Sequence, residues 1–140
     1  MGDDLKSEIT ERLDKFVQNG EIDKQKLTKN VRDRLVDCLL DGTVYGVVSS
    51  LEHLQELKET ELLNQRYRKV RELADQNDTE SVKRIDREIM VQIDELVQDQ
   101  QSNLCCMGIP LFRATLEPSE VKTQMDIIKF IVSIKDLFEK

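Results

Sequence analysis

The chain has 140 residues, a length that suits one domain, and residues 1–140 are expected to form it. Charged residues make up 35% of the chain and apolar residues 39%, while aromatic residues are only 4%. This balance favours long, charged helices over a compact β-sandwich or an α/β core. The formal net charge of −7 argues against nucleic acids and anionic membranes as partners, because both repel such a surface on average.

The N-terminal segment MGDDLKSEIT lacks the apolar core of a secretory signal peptide. The chain also contains no uncharged apolar run of about 18 residues, the length that a membrane-spanning helix needs. Cys38, Cys105 and Cys106 are an odd number of cysteines without a secretory context, a pattern typical of reduced thiols. We therefore expect an intracellular protein that does not bind a membrane.

Two amphipathic helices are predicted at the start of the chain, at about residues 5–18 and 28–40. Their apolar residues recur at steps of three and four: Leu5, Ile9, Leu13, Phe16 and Val17, then Leu27, Val31, Leu35, Cys38 and Leu39. Gly20 can adopt the left-handed conformation that ends the first helix. Either Asp23 or Thr28 can cap the second.

The segment LLDGTV predicts a tight turn, because Gly42 tolerates a positive φ angle and Thr43 is a good N-cap. A third helix is predicted at about residues 43–75. Its apolar residues first follow a seven-residue repeat and then continue on another line: Leu40, Val44, Val47, Leu51 and Leu54, followed by Leu63, Tyr67, Val70 and Ala74. The buried face is therefore expected to rotate, so that the two ends of the helix pack against different partners.

A fourth helix is predicted at about residues 80–104, after a short polar break. Asn77 and Glu80 resemble a capping box at its start, with Asn in place of Ser or Thr. Two long helices joined by a short polar segment lie antiparallel, so the third and fourth helices are expected to form a coiled-coil hairpin.

Residues 105–117 are predicted to form a loop, and residues 118–138 a final helix that begins with Pro118 in its first turn. This helix is the most apolar of the chain and needs neighbours on more than one side. The predicted fold is therefore all-α: a helical bundle with a long antiparallel coiled-coil hairpin and a C-terminal apolar helix that packs back on it.

Few residues offer catalytic or metal-binding chemistry. His53 is the only histidine and is expected on the solvated face of its helix, while Cys105 and Cys106 lack the two-residue gap that lets two thiolates bind one metal. These cysteines are interpreted as small buried residues at a helix end, with a redox pair as the alternative. Without a phosphate-binding glycine loop or a Ser/His/Asp set, the sequence predicts no catalytic residue, no metal, no cofactor and no enzymatic activity.

One basic cluster stands out in the segment NQRYRKVR, where Arg66, Arg68, Lys69 and Arg71 surround Tyr67. Basic residues interleaved with an aromatic residue can contact nucleic acid. A solvated helix face is the favoured interpretation, because Arg68 and Arg71 can each pair with an acidic residue four positions later.

Three stretches of the chain together resemble one protein family: LLDGTVYGVVSSLEHLQELKETELLNQR, IDREIMVQIDELVQDQQSNL and GIPLFRATLEPSEVKTQMDIIKFI. Their order is similar to that of the gonadal (fly) and DiGeorge syndrome critical region (vertebrate) protein family, over most of Leu5 to Leu137. The resemblance implies a non-enzymatic, predominantly helical coiled-coil protein. It also implies an association with the nucleus and cytoplasm and with gonadal expression or development, and it supplies no catalytic residues.

The favoured function is a protein–protein interaction adaptor, or a subunit of an intracellular complex, that binds other proteins through helical surfaces. The candidate partner-binding residues lie on the second line of the third helix and on the last helix: Leu63, Tyr67, Val70, Ile127, Phe130, Ile131, Ile134 and Phe138. One alternative is a self-assembling coiled-coil homodimer. The other is a nucleic-acid-associated regulator that acts through the basic cluster of residues 64–71.

Overall fold

The computed structural model describes residues 2–74 and 78–139, and helices are the only regular secondary structure in these ranges. In chain order the helices are α1 (Gly2–Gln18), α2 (Lys29–Leu39), α3 (Thr43–Leu73), α4 (Thr79–Cys106) and α5 (Pro118–Ser133), followed by a 3-10 turn at Lys135–Leu137. α3 pairs with α4 as the long hairpin, α1 packs on α2, and α5 packs on α3. This confirms the predicted all-α bundle.

Local chemistry sets the ends of the first three helices. Gly20 adopts a φ angle of 77° just after α1, as its position predicts. Of the two candidate caps for α2, Thr28 is the one used, and its side chain accepts a hydrogen bond from the N–H of Val31 at 3.4 Å. Gly42 turns the chain between α2 and α3 with a φ angle of 78°. Gly42 is itself the N-cap of α3, so the prediction that Thr43 is the cap is wrong by one residue.

Asp78 caps α4, so the helix begins one residue later than a cap at Asn77 would place it. The N–H and the hydroxyl of Ser81 donate to the Asp78 carboxylate at 3.0 and 2.7 Å. These bonds lower the pKa of Asp78, because they stabilise its charged form. Asn77, which the capping-box prediction uses, lies outside the described residues.

The last helix is shorter than predicted. Pro118 occupies its first turn, with the Glu117 carboxylate accepting from the N–H groups of Ser119 and Glu120. The α-helix ends at Ser133 and tightens into the 3-10 turn. This tightening places the ring of Phe138 against Tyr45 at the start of α3, with ring centroids 5.2 Å apart in a stacked arrangement.

The hydrophobic core lies at one end of the hairpin. It combines the N-terminal part of α3 with the C-terminal part of α4, the loop after α4, α1, α2 and α5, and its members include Ile9, Leu13, Leu35, Val48, Leu104, Phe112, Ile127 and Phe130. Phe16 on α1 meets Phe130 on α5 edge to face, with centroids 5.5 Å apart. The assignment of the whole chain to one domain stays a prediction.

Beyond this core, α3 and α4 continue as a two-helix arm, defined here as residues 52–73 and 79–100. At about 1.5 Å per residue, the arm is roughly 33 Å long. Leu62 and Ile89 are the large apolar side chains that it buries well, and both lie outside the core cluster. A pair of helices covers each of its members on one side only, so much of the arm surface faces solvent.

The predicted seam of α3 is displaced by one residue. Leu54 was expected to continue the buried line of Val44, but it is 52% exposed. The buried line runs instead through Val48, Gln55 and Leu62, which are seven residues apart, with Val48 and Leu62 buried and Gln55 half-buried. α3 packs on α4 along its length and on α5 near the core, and periodicity alone does not reveal which line these neighbours cover.

Candidate functional site

An ion pair between the two helices fixes the register of the arm. The Nε atom of Arg66 on α3 donates to Oδ1 of Asp86 on α4, and a second contact joins its guanidinium to Oδ2 at 3.5 Å. This hydrogen bonding lowers the pKa of Asp86. Because the helices are antiparallel, each step back along α3 corresponds to a step forward along α4. Leu63, three residues before Arg66, and Met90, four residues after Asp86, therefore lie within about one residue of the same level.

α5 covers the part of one arm face that is nearest the core. Side chains of all three helices line a cleft there: Glu52, Gln55, Glu56, Glu59, Gln100, Met125, Ile128 and Lys129. On α4, Gln101 also faces α5, since its Nε2 atom donates to Oε1 of Gln124 at 2.7 Å. We call this side of the hairpin the α5-side face.

Farther from the core, the same face carries three large apolar side chains without cover from the described residues. Leu63 lies one helical turn after Glu59, Tyr67 lies one turn further, and Met90 lies eleven residues, about three turns, before Gln101. Leu63, Tyr67 and Met90 are 59%, 65% and 56% exposed. These three residues are called the distal patch, and they form the candidate functional site.

Charges of opposite sign flank the distal patch. Toward the core, Glu56 and Glu59 share the face with Glu52, whose pKa is raised by partial burial and by the neighbouring Glu56. Toward the tip of the arm, Lys83 and Arg87 lie seven and three residues before Met90 and are exposed. At these spacings they share or border the α4 side of the patch, where Lys83 also forms an exposed ion pair with Glu80 at 3.7 Å. At the core end, Lys129 of α5 lines the cleft beside the three glutamates. Among these residues, acidic groups outnumber cations at the core end and cations outnumber acidic groups at the tip end.

The predicted partner-binding residues fall into two groups. Leu63 and Tyr67 are exposed on the arm, and Val70 is half-buried there. The members on the last helix lie inside the molecule: Ile127, Phe130, Ile131 and Ile134 have no exposed surface, and Phe138 is half-buried against Tyr45. The prediction is corrected for these last-helix residues, because the apolar faces of α5 pack against the chain's own core.

Met90 is the one member of the distal patch that the sequence analysis missed. It directly follows Ile89, which faces the seam, and so it falls outside the apolar stripe of α4. The signal that could have found it is a large apolar residue beside the stripe, at the level of Leu63 on the opposite helix.

The basic cluster does not form one surface. Arg66 pairs with Asp86, whereas Arg68, Lys69 and Arg71 are exposed. Among the described residues, the expected pair between Arg68 and Glu72 does not form an ion pair, and the expected partner of Arg71, Asp75, lies outside the described ranges. One of the four cations therefore stabilises the hairpin itself.

A buried polar network holds the loop between α4 and α5. The side chain of Gln101 donates to the carbonyl of Thr115 and accepts from its N–H, both at 2.9 Å. The side-chain amide of Gln124 donates to the carbonyls of Leu111 and Arg113 at 3.1 and 3.2 Å. These bonds satisfy loop backbone groups that burial would otherwise leave unpaired. The network therefore fixes the loop rather than forming a reactive site.

The cysteines are placed differently from their prediction. Cys105 and Cys106 are exposed free thiols at the end of α4, so the expectation of burial is wrong. Cys38 is half-buried, and burial raises the pKa of its thiol to about 11, with further contributions from Asp41 and Asp37. Within residues 2–74 and 78–139, no group of three His, Cys, Asp or Glu side chains is arranged to hold a metal ion. His53 is exposed, as expected.

Comparisons with known proteins agree with the resemblance found in the sequence. Residues 67–139 match the family described as DiGeorge syndrome critical region 6 (DGCR6) protein. The protein named DGCR6 from Gallus gallus is 26% identical in an alignment of 144 residues, gaps included, that covers 77% of this chain and 72% of the relative. The gonadal protein gdl from Drosophila melanogaster is 26% identical over 135 residues, which cover 80% and 70%. No solved structure matches the chain.

Proposed function

The chain belongs to the DiGeorge syndrome critical region 6 (DGCR6) protein family, and we propose that it is a non-enzymatic interaction subunit of an intracellular complex. In this proposal the distal patch of the arm binds another protein chain. The complex lies in the nucleus, the cytoplasm or both. The word gonadal in the name of the fly relative supports a role in the germline or in development. None of the helices in the described residues is both long enough and apolar enough to cross a membrane.

The observation that carries this proposal is the exposure of Leu63, Tyr67 and Met90 on one face. Exposed apolar residues are common when they are scattered singly, whereas a group on one face is typical of an interaction site. Covering the exposed part of each of these side chains with a partner contributes on the order of 1 kcal/mol. The patch can therefore serve as the apolar centre of a larger contact.

The way α5 packs supports a helix as the bound element. α5 lies beside the hairpin, where its Met125 lines a cleft with Glu52 and Glu59 of α3. Met125 is itself exposed, so α5 presents an apolar side chain at this cleft. A partner helix beyond Met125 would cover the distal patch in the same manner. This is the helix-in-groove mode of recognition, in which apolar side chains anchor an amphipathic helix.

The roles of the other polar clusters support a non-enzymatic function. Gln101 and Gln124 hold the loop after α4, and Arg113 forms a bidentate ion pair with Glu120, with N–O distances of 2.6 and 2.7 Å. Arg66 joins the two helices of the arm. Each of these groups has a structural partner within the chain, so none of them requires a substrate to explain its place.

Affinity purification of the tagged chain from its own cells tests the proposal. The wild-type chain should recover at least one stoichiometric protein, and Leu63→Asp should lose it. Leu57→Asp is the matched control, because Leu57 is 54% exposed on the same helix and lies six residues before Leu63, about a third of a turn away from it around the helix. Recovery of the same proteins by the wild type and Leu63→Asp would contradict the proposed function.

A further inference from the structure

The charges around the distal patch suggest what covers it. Glu56 and Glu59 lie on the side toward the core, and Lys83 and Arg87 lie on the side toward the tip, with Leu63 and Met90 at one level between them. A partner that covers this face needs basic residues opposite the first pair and acidic residues opposite the second. A second copy of the same face meets that requirement when its direction is reversed.

We propose that the distal patch pairs with the distal patch of a second copy of this chain, with the two arms antiparallel about a twofold axis near Leu63 and Met90. This inference rests on the proposed function, since it names the partner of the same face. A twofold interface uses one surface patch twice and must be complementary to itself. The face is self-complementary only in the antiparallel sense, because a parallel arrangement places glutamates opposite glutamates and cations opposite cations.

The register supports the position of the axis. With Arg66 opposite Asp86, Lys83 lies opposite a position on α3 that is six residues toward the tip from Leu63. Glu56 lies seven residues toward the core from Leu63. A twofold axis through the level of Leu63 therefore brings Lys83 of one copy to about the level of Glu56 of the other. The apolar residues of both copies meet between these charges, so the contact has an apolar centre and a charged rim.

The packing within the arm gives an independent argument. Val70 on α3 lies seven residues after Leu63 and shares its face, while Leu73 on α3 and Val82 on α4 lie beside the seam, and all three are only half-buried. A second pair of antiparallel helices against this face would make a four-helix bundle, in which seam residues are covered from more than one side. Self-pairing therefore buries residues of the arm that the hairpin alone leaves partly exposed.

Molar mass in solution tests this inference. The purified wild-type chain should show twice the mass of one 16.3 kDa chain by sedimentation equilibrium, with dissociation on dilution. Leu63→Asp and Met90→Asp should each weaken self-association more than about tenfold, because each places an unpaired carboxylate in the centre of the contact. Leu57→Asp and Val91→Asp are the matched controls, since Leu57 and Val91 are 54% and 55% exposed on other faces. Both controls should remain dimeric.

Charge reversal tests the antiparallel direction without altering the apolar centre. The double variant Lys83→Glu with Arg87→Glu should weaken self-association at low salt, because its new carboxylates lie at about the levels of Glu56 and Glu59 of the other copy and repel them. Adding Glu56→Lys and Glu59→Lys to the same chain should restore it. A double variant that pairs as tightly as the wild type would overturn the antiparallel arrangement.

The result for the wild type separates this inference from the proposed function. A chain that remains at 16.3 kDa at every concentration overturns self-pairing. The proposed function then still stands if the wild type recovers a protein other than this chain in the affinity purification and Leu63→Asp does not recover it. Equal weakening by Leu63→Asp and by its control Leu57→Asp would also overturn the inference, because the effect would not follow the face.

Discussion

Gln101 on α4 and Gln124 on α5 are joined by a buried hydrogen bond of 2.7 Å, and both side chains are almost fully enclosed. Between them they also bind the backbone of the loop at Leu111, Arg113 and Thr115. These two glutamines therefore fasten the loop to two helices at once. Their segments belong to the stretches on which the family resemblance rests, so the resemblance has a structural basis here.

Removing one partner of this network should be costly. Gln101→Leu keeps an apolar side chain of similar size but leaves the N–H and C=O groups of Thr115 and the amide oxygen of Gln124 without their bonds. We expect a loss of about 2–3 kcal/mol in the free energy of unfolding, measured by urea denaturation. Ser102→Ala, at an exposed neighbouring position, is the control. A loss below about 0.5 kcal/mol for Gln101→Leu would mean that the network contributes little.

Alanine substitutions at the two glycines near the start of α3 should change the stability of the fold in opposite directions. Gly42 has a φ angle of 78°, and an added Cβ atom would lie 3.2 Å from Cδ1 of Phe138. Gly42→Ala should therefore destabilise the fold by about 1 kcal/mol or more. Gly46 lies inside the helix with no atom within 4 Å of an added Cβ, so Gly46→Ala should stabilise it by about 0.5–1 kcal/mol. Thermal unfolding of the two variants provides the comparison, and the same sign for both would refute the explanation.

The ion pair of Glu120 predicts a dependence of stability on pH. Hydrogen bonds from Arg113 and then from Thr115 lower the pKa of Glu120 below its usual value of 4.5. A lowered folded-state pKa stabilises the fold at pH values above the usual pKa, and the effect is lost as the pH falls through the folded-state value. Glu120→Gln should therefore be less stable than the wild type at about pH 7, and the difference should shrink at about pH 3. Urea denaturation at both pH values measures it, and a constant difference would argue against this role.

The three cysteines should react at different rates with a thiol-alkylating reagent. Cys38 is half-buried, its S–H donates to the carbonyl of Leu35 at 3.1 Å, and its pKa is raised to about 11, so little thiolate forms. Cys105 and Cys106 are exposed and should be modified first. Mass spectrometry of peptides over time gives the order. In urea the three rates should become similar, and a fast reaction of Cys38 in the native protein would contradict the structure.

Helix ends were predictable wherever one residue type decides the local backbone. Gly20 and Gly42 take positive φ angles because glycine does so without a Cβ clash, and Pro118 starts α5 because it needs no N–H partner there. The start of α4 was less predictable, since several capping residues stand side by side and Asp78 is the one that the fold uses. Local chemistry limits the choices but does not always select one.

The covering of each apolar face was harder to predict, because periodicity shows that a face is apolar without showing what packs on it. The last-helix residues Phe130 and Ile131 have the pattern of a binding surface but fill the core of the chain. Leu63 and Tyr67 were assigned to the candidate surface and are exposed, whereas Met90 joins them only through the register of the hairpin. The complete patch therefore follows from tertiary structure, since it combines residues of two helices.

Site-specific photo-crosslinking shows whether the distal patch contacts another protein chain. A benzophenone-bearing amino acid would replace Leu63 in one variant and Leu57, of similar exposure on another face of α3, in a second. Both variants would be irradiated in the protein's own cells and compared by the yield of crosslinked chains. We expect crosslinks from position 63, to a second copy or to another protein, and few from position 57. Crosslinks from position 57 alone, or none from position 63, would contradict this expectation.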